Sequence, residues 1–205
     1  ARSWRRGHEC AIQLLLGGPD PTVESAPIRR RPVVGVMGAG EAASPALIKL
    51  AEELGACLAQ RGWVVLSGGR DCGVMAAVSR GAAAVPGHCV VGILPDDNAA
   101  AAAEVDLAIS TGMGQARNVI NVLASDVVVI CGPGGPGTAS EAAHAIKAGK
   151  PLFLLETPAP WPEFFQSLDA HVRVFAEVDL LLTALDQAVA ELSSPASAND
   201  PATQP

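Results

Sequence analysis

The chain has no apolar run near the eighteen or so residues that a membrane-spanning helix requires, no C-x-x-C pair and no excess of basic residues. No membrane span is therefore expected. Without C-x-x-C the common zinc spacings are missing, and no protein ligand for a metal is assigned. Cys10, Cys57, Cys72, Cys89 and Cys131 are an odd number at irregular spacing, which argues against a disulfide framework and for a reducing compartment. A cytoplasmic location is expected. The 14 Lys and Arg stand against 21 Asp and Glu for a net charge of −7, whereas nucleic-acid binders carry clustered cations, so no nucleic-acid partner is expected.

Two familiar phosphate loops are also missing from Gly132-Pro-Gly-Gly-Pro-Gly-Thr138. A Walker A loop needs Lys-Ser/Thr after its last glycine, and here Thr138-Ala139 follows; the G-x-G-x-x-G dinucleotide spacing is absent too. What is there is still built for an anion. Asp126-Val-Val-Val-Ile-Cys131 is an apolar, β-branched run suited to a strand covered on both faces, and Ala139 to Lys147 continues as a helix. Gly134, Gly135 and Gly137 let backbone amides converge at the start of that helix, where unpaired N–H groups and partial positive charge favour phosphate. A tight strand-to-helix turn is the plainer use of such glycines, but the loop holds more Gly and Pro than a turn needs.

The same unit recurs. With 205 residues and 49% hydrophobic content the chain suits one well-filled core, placed over 32–192, between a leader or disordered extension over 1–31 and a Ser/Pro/Ala-rich disordered tail over 193–205. Pro32 to Met37 reads as a strand running into Gly38-Ala-Gly40-Glu41, with Ser44-Pro45 as the N-cap and first residue of a helix. Trp63 to Ser67 is a strand before Gly68-Gly69-Arg70-Asp-Cys-Gly73 and a helix over Val74 to Ala82. Strands over His88–Leu94 and Val105–Ile109 enclose an acidic, alanine-rich loop that borders a pocket. A helix from Gln115 sends Val119, Ile120, Val122 and Leu123 to the core, then strands at Pro151–Leu155 and His171–Phe175 alternate with helices at Trp161–Leu168 and Val178–Leu192. This alternation predicts an α/β fold: a Rossmann-like, doubly wound parallel sheet in three αβα layers, one domain, with ligands at the carboxyl ends of the strands.

Charged residues at that edge are the candidate site. Arg70 is placed to enter the cleft, and Arg117 and Asn118 lie in the first turn of their helix, where a cation is disfavoured unless something negative offsets it. A ligand phosphate or Glu141 would do so. Glu141 also completes a capping box with Thr138, and the sequence leaves both roles open. Cys72 and Cys131, beside glycine loops, are the two cysteines retained as possible ligand contacts.

Gly68-Gly-Arg-x-x-Gly-Val-Met75, Ala116-Arg-Asn118, Ser125-Asp126 and Pro133 to Glu141 resemble the ordered motifs of the "lysine decarboxylase-like" superfamily. That superfamily includes the Lonely Guy phosphoribohydrolases and the molybdenum cofactor carrier proteins. In the hydrolases the Arg equivalent to Arg117 is followed by Lys, and the Glu equivalent to Glu141 is preceded by a second Glu; here Asn118 and Ser140 stand instead, and the Gly-Gly-Arg, Ala-Arg-Asn and Gly-Thr-x-Ser-Glu version is similar to the carriers. The resemblance implies a non-enzymatic carrier that binds the molybdenum cofactor (molybdopterin), shields it from oxidation and hands it to molybdoenzymes. It implies phosphate on the amides of Gly134 to Thr138, Gly38 to Glu41 and Gly68 to Gly73 around the pterin and metal end, Arg70 and Arg117 as counter-charges, and a homotetramer built as a dimer of dimers. The alternative is a nucleoside 5′-monophosphate phosphoribohydrolase acting through Glu141 and Arg117.

Overall fold

The computed structural model describes residues 30–192. The extension over 1–31, apart from its last two arginines, and the tail over 193–205 lie outside the described residues. Arg31 already belongs to the folded part: its Nε donates to the Gly62 carbonyl at 2.6 Å.

Among the described residues seven strands form one sheet: β1 (Val33–Gly38), β2 (Val64–Ser67), β3 (Val90–Leu94), β4 (Leu107–Ser110), β5 (Val127–Cys131), β6 (Leu152–Leu155) and β7 (Arg173–Phe175). Their order is β4-β3-β2-β1-β5-β6-β7, and every pair is parallel. Six helices cover the faces: α1 (Pro45–Gln60), α2 (Gly73–Ala83), α3 (Arg117–Ala124), α4 (Pro136–Lys147), α5 (Trp161–Leu168) and α6 (Val178–Leu192). The doubly wound, Rossmann-like α/β fold is therefore the one the alternation predicts.

Period-two alternation along buried strands explains the layers. Val34, Val36, Val65, Val127, Val129, Phe153 and Leu155 face a core shared with α1, α2 and α6. Their neighbours Met37, Leu66, Val128, Ile130, Leu152 and Leu154 face a second core closed by Val122, Ala142, Ala145 and Phe165. All five residues of β5 are fully buried, as a central strand with no polar alternation should be. Ser44 caps α1 as expected, accepting from the Leu47 amide at 3.2 Å.

Two acids set the starts of neighbouring strands. Asp126 accepts from the Val33 amide at 2.8 Å, and Asp106 from the Val90 amide at 2.7 Å. Asp106 thus belongs to the junction before the strand, and β4 starts at Leu107 rather than Val105. The face of α3 also differs from expectation: Leu123 is 58% exposed, while Asn118, Asn121 and Val122 are buried. A short 3-10 turn over Gly114–Ala116 precedes Arg117, and the helix that follows turns a polar stripe, not Leu123, inward.

Candidate functional site

The strand order reverses between β1 and β5, so the loops that follow these two strands diverge and leave a crevice at their carboxyl ends. A cleft of about 870 Å³ opens there, walled by the loops after β1, β2 and β3, by the start of α3 and by the first turns of α4.

The floor is the glycine loop. Gly135 is the N-cap of α4 and Pro136 its first residue, so the first intrahelical bond is Ala139 N–H to Gly135 O at 3.0 Å. Pro136 has no amide to leave open. The N–H groups of Gly137 and Thr138, both on the cleft, are the first-turn donors without an intrahelical acceptor. The capping box does not form. Helix α4 begins two residues before Thr138, whose hydroxyl donates to the Gly38 carbonyl at 3.1 Å, tying the β5 loop to the end of β1.

Glu141 is used differently. Only 6% exposed, it accepts from Asn121 Nδ2 at 2.7 Å and stands 4.0 Å from Arg117 Nη1. Burial pushes its carboxyl up to about 7, against the opposing pulls of the Asn121 hydrogen bond and the Arg117 charge. Burial likewise lowers the pKa of Arg117, partly offset by Glu141. The guanidinium lies against Gly68: a Cβ there would overlap Arg117 Nη1 and Nη2 and Met75 Sδ, so a side chain would displace the cation from this position.

Asn118 and Ser140 meet at the rim of the loop. Asn118 Nδ2 donates to Ser140 Oγ at 3.1 Å and to the Gly137 carbonyl at 3.3 Å, and Ser140 Oγ donates to that carbonyl at 2.6 Å. Two neutral side chains from α3 and α4 thereby fasten the first turn beside the open amides of Gly137 and Thr138.

The structure brings Gly38, Gly40, Gly68, Arg70, Arg117, Asn118, Gly135, Gly137, Thr138 and Glu141 to the cleft. Gly69, Gly73 and Gly134 do not line it. Gly69 backs onto Gly92 of β3, and Gly134 packs under the Thr138 side chain. Gly73, at φ +52°, opens α2 against the carbonyls of Ala39 and Gly40, a conformation and an approach that a side chain would oppose. Arg70 stands at the mouth and pairs with Glu41 at 3.2 Å. The acidic loop after β3 contributes Pro95, Asp96, Asn98, Ala99 and Ala100, as anticipated. Cys72 lines the cleft, its thiol raised chiefly by burial. Cys131 does not: it is fully buried in the core, its thiol pushed up to about 12. Among the described residues no group of three or more His, Cys, Asp or Glu converges as a metal site.

Sequence reasoning missed Asn121, which orients Glu141. Its signal was present: Asn118, Asn121 and Ser125 recur at i, i+3 and i+7, a polar stripe in an otherwise apolar helix.

The chain is similar to known proteins over most of this fold. The model of the SLOG cluster4 family matches residues 31–182. The molybdenum cofactor binding protein of the phototrophic bacterium Rippkaea orientalis is 42% identical, with a TM-score of 0.74 covering 78% of this chain and 98% of that one. The molybdenum cofactor carrier protein of Chlamydomonas reinhardtii is also 42% identical, with a TM-score of 0.74 covering 78% of this chain and 99% of that one. An uncharacterized protein of Archaeoglobus fulgidus is 42% identical over 125 residues, which are 61% of this chain and 80% of its own length.

Proposed function

The chain belongs to the SLOG cluster4 family, and from that premise we propose that it is a carrier of the molybdenum cofactor, which it binds, protects and delivers without chemical change. The identity to one molybdenum cofactor binding protein and one molybdenum cofactor carrier protein, each over nearly its whole length, supports the cargo. The observation that carries the non-enzymatic part is the Asn118–Ser140–Gly137 triangle. Where the resembling hydrolases carry a Lys and a Glu, this chain spends two neutral side chains on each other and on the loop carbonyl. A site fastened in this way grips a phosphate but presents neither of those charged groups to a ribose.

In this reading the glycine loop is a phosphate-binding loop. The amides of Gly137 and Thr138, with the N-terminal dipole of α4, hold the terminal phosphate of the cargo. Arg117 supplies a buried cation against the remaining negative charge and Arg70 a half-exposed one at the mouth. Gly38, Gly40 and Gly68 leave room for the pterin end, and the cleft falls in the size range of small-molecule sites. Molybdoenzymes are the acceptors, and the cytoplasm is where they are met. No described helix is long and apolar enough to cross a membrane. The homotetramer is part of the same reading, supported by the exposed apolar side chains Leu107 and Ile109 on β4 and Leu123 on α3.

Incubation of the purified protein with the cofactor, followed by transfer to a cofactor-free molybdoenzyme, tests the carrier. Recovery of the acceptor's activity is expected. Free base released from AMP, and abolished by Glu141→Ala, would instead establish the phosphoribohydrolase, for which the retained Arg117 and Glu141 are the minimal pair.

A further inference from the structure

A cleft meant for an oxyanion has a carboxyl group built into its wall, one turn beyond Thr138. The charged groups around it do not neutralise it. Helix α3 offers Arg117, at 4.0 Å rather than hydrogen-bond distance, and the loop after β2 offers Arg70, which is engaged with Glu41 from the loop after β1. Asp71, Cys72 and Asp96 also line the cleft, and the charged residues of α4 itself, His144 and Lys147, lie one to two turns further along. Among the described residues the hydrogen bond from Asn121 and the contact with Arg117 both fall on Glu141 Oε1. Glu141 lines the cleft, and with Oε1 engaged Oε2 is the carboxyl oxygen left for an occupant.

We propose that Glu141 meets the bound anion as a neutral carboxylic acid, its Oε2–H donating to an oxygen of the cargo while the Asn121 amide holds Oε1. A protonated carboxyl is a donor, whereas an ionised one offers only lone pairs and would repel the guest. The proton comes from water as the anion enters and returns to water as it leaves. Burial has already raised the carboxyl to about 7, and the charge of the occupant acts in the same direction. Binding is thereby coupled to one proton, tight at neutral and acidic pH and progressively weaker above it. The inference rests on the carrier reading only for the identity of the anion.

Sulfate, which does not titrate in this range, is the first probe, and molybdenum cofactor the second. Sulfate affinity of the 205-residue chain is measured by NMR titration between pH 6 and 9. The wild type is expected to weaken by about tenfold per pH unit above 7, while Glu141→Gln, a neutral donor of the same shape, stays flat. The carboxyl carbon of Glu141, followed in selectively labelled wild type, should titrate near 7 and move upward with sulfate. That measurement needs no variant. Parallel pH profiles in the two proteins, a carboxyl titrating in the ordinary range, or no sulfate binding in either protein would each overturn the proposal. Cofactor that fails to bind at any pH, while sulfate keeps the wild-type slope, rejects the carrier reading and leaves this role of Glu141 standing; cofactor bound with identical profiles in both proteins does the reverse.

Discussion

Arg70 and Arg117 reach the same cleft, and their surroundings make them unlike. The Arg70 side chain is 43% exposed and pairs with Glu41, itself 81% exposed, at 3.2 Å. Such a pair is screened by water and salt and contributes at most about 1 kcal/mol. Arg117 is 11% exposed, lies against Gly68 and has the Glu141 carboxyl no nearer than 4.0 Å. Burial has removed most of its water, and Glu141 has not fully replaced it. A desolvated cation with an incomplete partner gains most from an incoming oxyanion, so in the proposed carrier the binding energy is expected to concentrate at Arg117 and the long-range attraction at Arg70.

The sharpest way to break that contrast is Arg117→Ala. Loss of a buried charged contact should weaken cofactor binding by about 100-fold or more, read as a dissociation constant at fixed salt. A change under threefold would erase the distinction between the two arginines. The next effect is on stability. Glu141 rises from its ordinary value of 4.5 to about 7 in the folded state, so the native protein holds more protons than the unfolded chain between these values. The stability this contributes is present in full below 4.5 and is lost as pH rises through 7. Glu141→Gln removes the slope and should be more stable than wild type at pH 8 by on the order of 2 kcal/mol, checked by urea denaturation at pH 5 and 8. Equal slopes in both proteins would place the carboxyl in water.

A smaller change isolates position from charge. Gly68→Ala keeps both arginines but puts a methyl group where the Arg117 guanidinium lies, so the cation must shift. Cofactor affinity should fall by about tenfold, with a stability cost of about 1–2 kcal/mol, and Gly69→Ala makes an instructive control. Gly69 stands at φ +69° against Gly92, away from the cleft, so its variant should cost stability without a specific loss of affinity.

How much of this was legible beforehand divides along a physical line. Strand and helix alternation, the Ser44 cap and the burial of β5 follow from local chemistry, and all of it is present in the fold. The gathering of the glycine loops at one edge follows from the topology that this alternation dictates. What the apolar pattern did not supply was the rotation of α3 after the 3-10 turn, which buries Asn121 and exposes Leu123. The capping box failed for a related reason. Pro136 is suited to the first position of a helix and starts α4 early, carrying Thr138 inside it and freeing its hydroxyl for Gly38, 100 residues away in sequence. Cys131 illustrates the limit of proximity in sequence: one residue before the loop is already the bottom of the core.

The smallest predicted effect concerns Arg70 itself. Its guanidinium is hydrated and already spends one contact on Glu41, so an arriving anion gains little by displacing that water and that partner. Arg70→Ala should therefore lower cofactor affinity by only about two- to fivefold at physiological salt, mostly through a slower association rate. Glu41→Gln releases the same arginine and should act in the opposite direction by a similar factor. Both differences should shrink as ionic strength rises toward about 1 M, where the screening length falls to about 3 Å, whereas much of the Arg117→Ala deficit should persist because that cation is shielded from salt. Stopped-flow association at low and high salt separates the two. An Arg70→Ala deficit that appears in dissociation and survives high salt would move Arg70 into the grip on the cargo and reverse the assignment of roles at the two ends of the cleft.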